Sequence, residues 1–302
     1  MKGTTVCRGT VAIAVVAALT GAAGCTSSDA SGDTDRGGRA SGKVTTHPAV
    51  VTALRAAESS TDRADSARVR STTTMGSALS MTADGVLGWR DGTTGTVTIT
   101  YTSGTTADLM RRLGTTSMEA RYLPDAYYAR MGEKFAERAG GRHWIRYRYA
   151  DLADLGGASG ADLRNQMRAT TPNQSVKLLL ASGGVEKVGV ETVRGERTTH
   201  YAGTVRVADL ASTALRKQLA QAGVSTETVD IWVNGRDLLV KKVEKGTTSA
   251  GRYTQTAYYG DYGAKVSAAE PPASDTEDVK DLLRNQGLTP GGDTSAGSGS
   301  SS

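Results

Sequence analysis

The chain has 302 residues, of which 38% are hydrophobic, 22% charged and 5% aromatic, with a formal net charge of +5. That is enough apolar content for one packed domain of roughly 200–230 residues, and both ends are poor in large apolar side chains. A charge this close to balance gives no long-range field to gather nucleic acid, and three histidines with two cysteines leave little room for a metal centre.

Residues 1–24 have the pattern of an export signal. Lys2 and Arg8 precede an uncharged apolar run, Val11 to Leu19, well short of the ~20 residues a spanning helix needs. The run leads to Ala22-Ala23-Gly24-Cys25, which resembles the lipobox of bacterial lipoproteins. That resemblance implies a diacylglyceryl group on the Cys25 thiol and cleavage just before it. Ala22 departs from the usual Leu or Val three positions before the cysteine. The competing explanation is an ordinary secretory signal followed by a chance cysteine. Against it, Cys7 lies inside the signal, so Cys25 is the only thiol of the mature chain and has no partner for an internal disulfide. Two acyl chains suffice for stable anchoring. Residues 25–46 are rich in Ser, Gly, Asp and Thr and are expected to be a flexible tether.

The folded body is expected over 47–272. His47-Pro48 opens a helix with Val50, Val51, Leu54 and Ala57 on one face. Strands follow at Arg68–Met75, from Leu79 to Arg90 with a bulge at Ala83-Asp84-Gly85, at Thr96–Thr102, at Ser117–Leu123 and Ala126–Met131 around Pro124-Asp125, and at His143–Tyr149. Leu152–Met167 is helical with a break at Gly156-Gly157. Thr171-Pro172 starts a helix bearing Val176, Leu178, Leu179 and Leu180. A hairpin pairs Val185–Val193 with Arg197–Val207. Asp209–Ala222 forms an amphipathic helix with Leu210, Ala214 and Leu219 inward. Asn234-Gly235 signals a tight hairpin between Thr228–Val233 and Leu238–Val243, and Tyr253–Tyr262 is the last strand before Pro271-Pro272. Residues 273–302 are expected to hold a short helix, Asp275–Arg284, and a disordered tail. Consecutive hairpins with helices in blocks give an α+β fold with an antiparallel sheet whose apolar face the helices cover.

The segments Thr199-His200-Tyr201-Ala202-Gly203-Thr204-Val205, Val229-Asp230-Ile231-Trp232-Val233-Asn234 and Gly260-Asp261-Tyr262-Gly263 resemble the actinobacterial LppX/LprAFG lipoprotein family, which is similar in fold to the carrier LolA. The resemblance covers roughly His47 to Pro272. It implies a strongly curved antiparallel half-barrel covered on its concave side by helices, an apolar cavity between them, and acyl chains of lipids or lipoglycans as cargo. It brings no catalytic residues.

Alternation and helix face select Leu79, Met81, Val97, Ile99, Tyr101, Met118, Tyr122, Leu178, Leu179, Ile231 and Val233 as candidate cavity residues. Met75, Met81, Met110, Met118, Met131 and Met167 suit an irregular cavity, since the unbranched thioether adapts to uneven shapes. The plain alternative is an ordinary packed core. In 142–149, Trp144, Arg146 and Arg148 share one face while Ile145, Tyr147 and Tyr149 share the other. Arg146 and Arg148 are candidates for lipid phosphate or the membrane surface. His47, His143 and His200 stand near no ligand set, and His47 is expected to cap its helix. Ser159 lacks the elbow of a hydrolase, and the paired glycines lack a phosphate-loop lysine. No enzyme activity, cofactor, metal or nucleic-acid partner is expected. The partners expected are the membrane, through the diacylglyceryl cysteine, acyl chains, and a membrane or secreted protein. A non-enzymatic envelope interaction or sensor module with a filled core is the alternative function.

Overall fold

Residues 47–156, 171–221, 223–248 and 251–285 are described by a computed structural model. Helix α1 (Pro48–Arg63) begins as expected: His47 Nδ1 accepts from the Ala49 N–H at 3.3 Å, and Pro48 fills the first turn, where a missing N–H does no harm. The strands are β1 (Ser66–Met75), β2 (Leu79–Gly88), β3 (Thr94–Ser103), β4 (Ser117–Tyr122), β5 (Ala126–Arg130), β6 (Trp144–Arg148), β7 (Val185–Val193), β8 (Glu196–Arg206), β9 (Thr226–Asn234), β10 (Leu239–Thr248), β11 (Gly251–Gly260) and β12 (Thr276–Asp278). The remaining helices are α2 (Thr105–Arg112), α3 (Glu133–Ala136), α4 (Tyr149–Gly156), α5 (Asn173–Ser182), α6 (Thr213–Gln221) and α7 (Val279–Asn285).

All twelve strands join one open, curved sheet in the order β12-β6-β5-β4-β3-β2-β1-β11-β10-β9-β8-β7. Every pairing is antiparallel except β12 with β6. This is the α+β fold expected, with helices packed on one face only: their buried side chains join the apolar residues that alternate inward along β1–β11.

Several local expectations are corrected. β2 pairs with β1 without a break through Ala83-Asp84-Gly85; its irregularity lies at Ser80/Met81 against β3. Gly85 is needed there for close approach, because a Cβ would meet the Thr96 carbonyl oxygen at 2.1 Å. Helices α2 and α3 interrupt what sequence alone presents as consecutive strands. The hairpin between β7 and β8 forms as expected, but Glu196 pairs with Val193, so the turn is Arg194 and Gly195 alone, with φ of 48° and 85°. Asn234-Gly235 instead opens a longer loop, in which Asn234 Oδ1 accepts from Arg236 and Leu238 N–H at 3.0 Å each and Asp237 takes the positive φ. Leu210 is buried ahead of α6 and not within it.

The sheet does not end at Pro272. From Asp261 the chain runs across the outer face: Ser66 Oγ donates to Ala264 O at 2.7 Å, Thr96 Oγ1 to Ser267 O at 3.1 Å, and Arg121 to Ala269 O at 2.9 Å. This strap supplies the crossover that a parallel partner of β6 requires. Charged contacts hold its end: Arg142 to Glu277, His143 to Asp275 at 2.7 Å, and Lys280 to Asp151 at 2.8 Å. The export signal, Cys25, the tether, Ser159, Met167 and the tail beyond Asn285 lie outside the described residues.

Candidate functional site

The inner face divides into two apolar clusters. The first covers β2–β6 with the nearer ends of β1 and β11, under α2, α3, α4 and α7. It holds Leu79, Val97, Ile99, Tyr101 and Met118, with Met81 and Tyr122 packed against it. The second covers β7–β11 under α1, α5 and α6, and holds Leu178, Leu179, Ile231 and Val233. So the eleven candidate cavity residues all face inward, but they do not form one site.

In the first cluster four adjacent strands each turn one tyrosine inward: Tyr101 on β3, Tyr122 on β4, Tyr127 on β5 and Tyr147 on β6. Tyr122 pairs across the ladder with Tyr127, and Tyr127 with Tyr147. Their ring centroids are 5.1 and 5.7 Å apart. Burial pushes the Tyr122 hydroxyl up to about 12, with Tyr101 adding to it. Burial, and then the hydroxyls of Tyr122, Tyr101, Tyr147 and Tyr149, push Tyr127 well above its ordinary value. These phenols stay neutral. The Tyr127 hydroxyl is buried and has no hydrogen-bond partner among the described residues.

Between the clusters runs a polar seam. Lys242 Nζ donates to Glu244 Oε2 at 2.8 Å, and Ser175 Oγ of α5 donates to the other Glu244 oxygen. Glu227 accepts from Tyr253 through one oxygen, while its second oxygen is buried without a partner. Burial, and then the Glu244 charge, push Glu227 up to about 7. Lys242 would be depressed by burial alone, but Glu244 and the other acidic neighbours outweigh that and leave it raised.

The chain is 55% identical over 300 residues to "Putative lipoprotein SCO4650" of Streptomyces coelicolor, a match spanning 95% of this chain and 100% of that one. The chain belongs to this lipoprotein family. A second relative, "Uncharacterized 31.2 kDa protein in rplA-rplJ intergenic region" of Streptomyces griseus, is 50% identical over 252 residues, spanning 80% of this chain and 83% of the other. No protein-family model matches. Lipoprotein LppX of Mycobacterium tuberculosis superposes with a TM-score of 0.48 at 16% identity, covering 74% of this chain and 100% of LppX. That overlap carries no ligand from LppX to this chain.

In this lipoprotein Arg146 and Arg148 are already engaged. Both guanidinium groups reach Asp278 Oδ2, at 3.2 and 3.6 Å, because β12 lies against their strand. His200 sits between Glu191 and Asp230 at 2.9 and 2.8 Å and stacks on Trp232, a self-satisfied group on the outer face. A cleft of about 300 Å³ opens beside Met118 and Met131, but Thr98, Ser117, Glu119, Arg130 and Glu133 give it a polar wall. Sequence reasoning missed the seam for a definite reason. Simple alternation from Leu239 would put Lys241 and Val243 inside; a bulge between Leu239 and Lys241 turns Lys242 and Glu244 inward instead. Glu227 was readable, since it alternates in phase with Val229, Ile231 and Val233.

Proposed function

We propose that this lipoprotein binds an acylated amphiphile between β2–β6 and the short helices above them, as a carrier or chaperone tethered outside the cell through Cys25. One observation supports this most: the two halves of the inner face are built differently. The second half is mostly branched aliphatic, with Tyr201, Tyr259 and two alanines but no methionine, under helices of 16, 10 and 9 residues, the composition of a solid core. The first half sets Met75, Met110, Met118 and Met131, four tyrosines and small alanines among its branched aliphatic residues, and the described helices over it have 8, 4, 8 and 7 residues. Adaptable apolar side chains with a few convergent polar groups are the expected form of an amphiphile site. Nothing in the arrangement is asked to do chemistry on the ligand. Among the described residues no helix is long and apolar enough to cross a membrane.

The rival, a solid-core interaction or sensor module, is favoured by the burial of Leu79 and Met118, each 2% exposed. Organic extraction separates the two. The full chain carrying Cys25→Ala, which removes the anchor's own acyl groups, should yield bound acyl species. It should also take up added dioleoylglycerol. An extract free of lipid, together with no uptake, would leave the rival standing. The same variant should leave the membrane fraction; if it stays firmly bound, Cys25 is not the anchor.

A further inference from the structure

We infer that the hydroxyls of Tyr101, Tyr122, Tyr127 and Tyr147 form a donor set for the carbonyl oxygen of an acyl ester, and so select ester-linked lipid over a carbonyl-free analogue. The inference rests on the amphiphile site proposed above and names the polar group that site recognises.

Four neighbouring strands place one tyrosine each on the same face of the first cluster. A phenylalanine would pack the same ring at each position. The hydroxyls therefore need a reason besides ring packing, and the Tyr127 hydroxyl shows that need directly. Tyr127 is 0% exposed, and among the described residues its oxygen has no hydrogen-bond partner. No hydrogen bond ties it to Tyr122 or Tyr147, although their rings lie against its own. Buried hydroxyls are nearly always satisfied, so an orphan in an apolar site points to a partner from outside the chain.

The chemistry of that partner follows from the donors. A neutral phenol in an apolar surround donates its proton, so the ligand atom is an acceptor. The groups acting on Tyr127 are other tyrosines, with no Lys or Arg among them. An anionic acceptor, a carboxylate or phosphate, would be buried without a counter-charge. A neutral carbonyl meets no such obstacle, and on an acylated amphiphile it sits where the chains join the polar head. Chains among the methionines and carbonyl at the tyrosines make one consistent pose.

The test compares three probes on the full chain carrying Cys25→Ala: dioleoylglycerol, its dialkyl ether analogue, and oleate, each delivered from cyclodextrin and measured as retained lipid. The ester should bind tighter than the ether. Tyr127→Phe should weaken ester binding roughly five-fold and leave ether binding unchanged, as expected for one lost hydrogen bond. Tyr122→Phe and Tyr147→Phe guard against a misleading single site, and circular dichroism checks that each variant folds. Equal binding of ester and ether, or unchanged ester binding in all three variants, overturns the donor set while leaving the amphiphile site intact. Tightest binding by oleate overturns the neutral-acceptor assignment. If none of the three probes binds, the amphiphile reading falls, and the donor set with it.

Discussion

The Lys242–Glu244 pair offers the sharpest test of how the inner face is held together. Both side chains are 10% exposed, and the ammonium lies 2.8 Å from the carboxylate. Ser175 Oγ holds the second carboxylate oxygen from α5. Removing one partner leaves the other charge buried with too little to compensate it. Lys242→Met or Glu244→Met alone should therefore cost about 3–5 kcal/mol. The double variant removes both charges and should cost far less than the sum, apart from about 1–3 kcal/mol for the Ser175 hydroxyl now buried without its acceptor. Adding Ser175→Ala should recover most of that remainder. Urea unfolding, followed by circular dichroism, gives all the free energies, and the double-mutant cycle isolates the coupling. Strictly additive losses would refute the claim that these charges compensate one another in a desolvated seam.

Tyr127→Phe should raise the stability of the unliganded protein by about 1 kcal/mol, because it deletes a buried hydroxyl with no partner; a loss of that size in urea unfolding would mean the hydroxyl is satisfied in the free protein. Gly85→Ala should destabilise by about 3 kcal/mol or more, since its Cβ would overlap the Thr96 carbonyl at 2.1 Å and force β2 from β3; a thermal midpoint like that of the parent would contradict this register. Glu227 is raised from 4.5 to about 7 by burial and the Glu244 charge, so the folded state holds its proton more tightly than the unfolded chain does. Its contribution is fully present below pH about 4.5 and is lost as pH rises toward about 7. Glu227→Gln should flatten the fall in stability across that window, and a pH profile indistinguishable from the parent's would count against the assignment.

The Tyr127 prediction bears on function as well as folding. A variant that gains stability while losing ester affinity would show a residue kept for its ligand at the expense of the free fold, a trade common where binding needs an unsatisfied group. A variant unchanged in both would mark Tyr127 as plain packing.

Much of this protein was legible in the chain because the signals are short-range. The alternation of Val97, Ile99 and Tyr101 depends on neighbours two residues apart. The His47-Pro48 start of α1 and the hairpin that follows Val193 are also set by near neighbours. The inward direction of the candidate strand side chains follows from period-two geometry, and that of Leu178 and Leu179 from the face of their helix. What only the tertiary structure decided depends on residues far apart in sequence. β12 is a three-residue strand, and it is held by Arg142, His143, Arg146 and Arg148, more than a hundred positions earlier. Those contacts also pair the two arginines that the sequence offers to lipid phosphate with Asp278. The bulge at Leu239/Lys241 inverts the faces of β10, which is how Lys242 and Glu244 come to lie inside; one inserted residue in the pairing turns the rest of a strand over, and the pairing belongs to two strands at once. The division of the inner face into a mostly branched-aliphatic half and a methionine–tyrosine half likewise arises from which helices dock where, and packing partners are not written in local pattern.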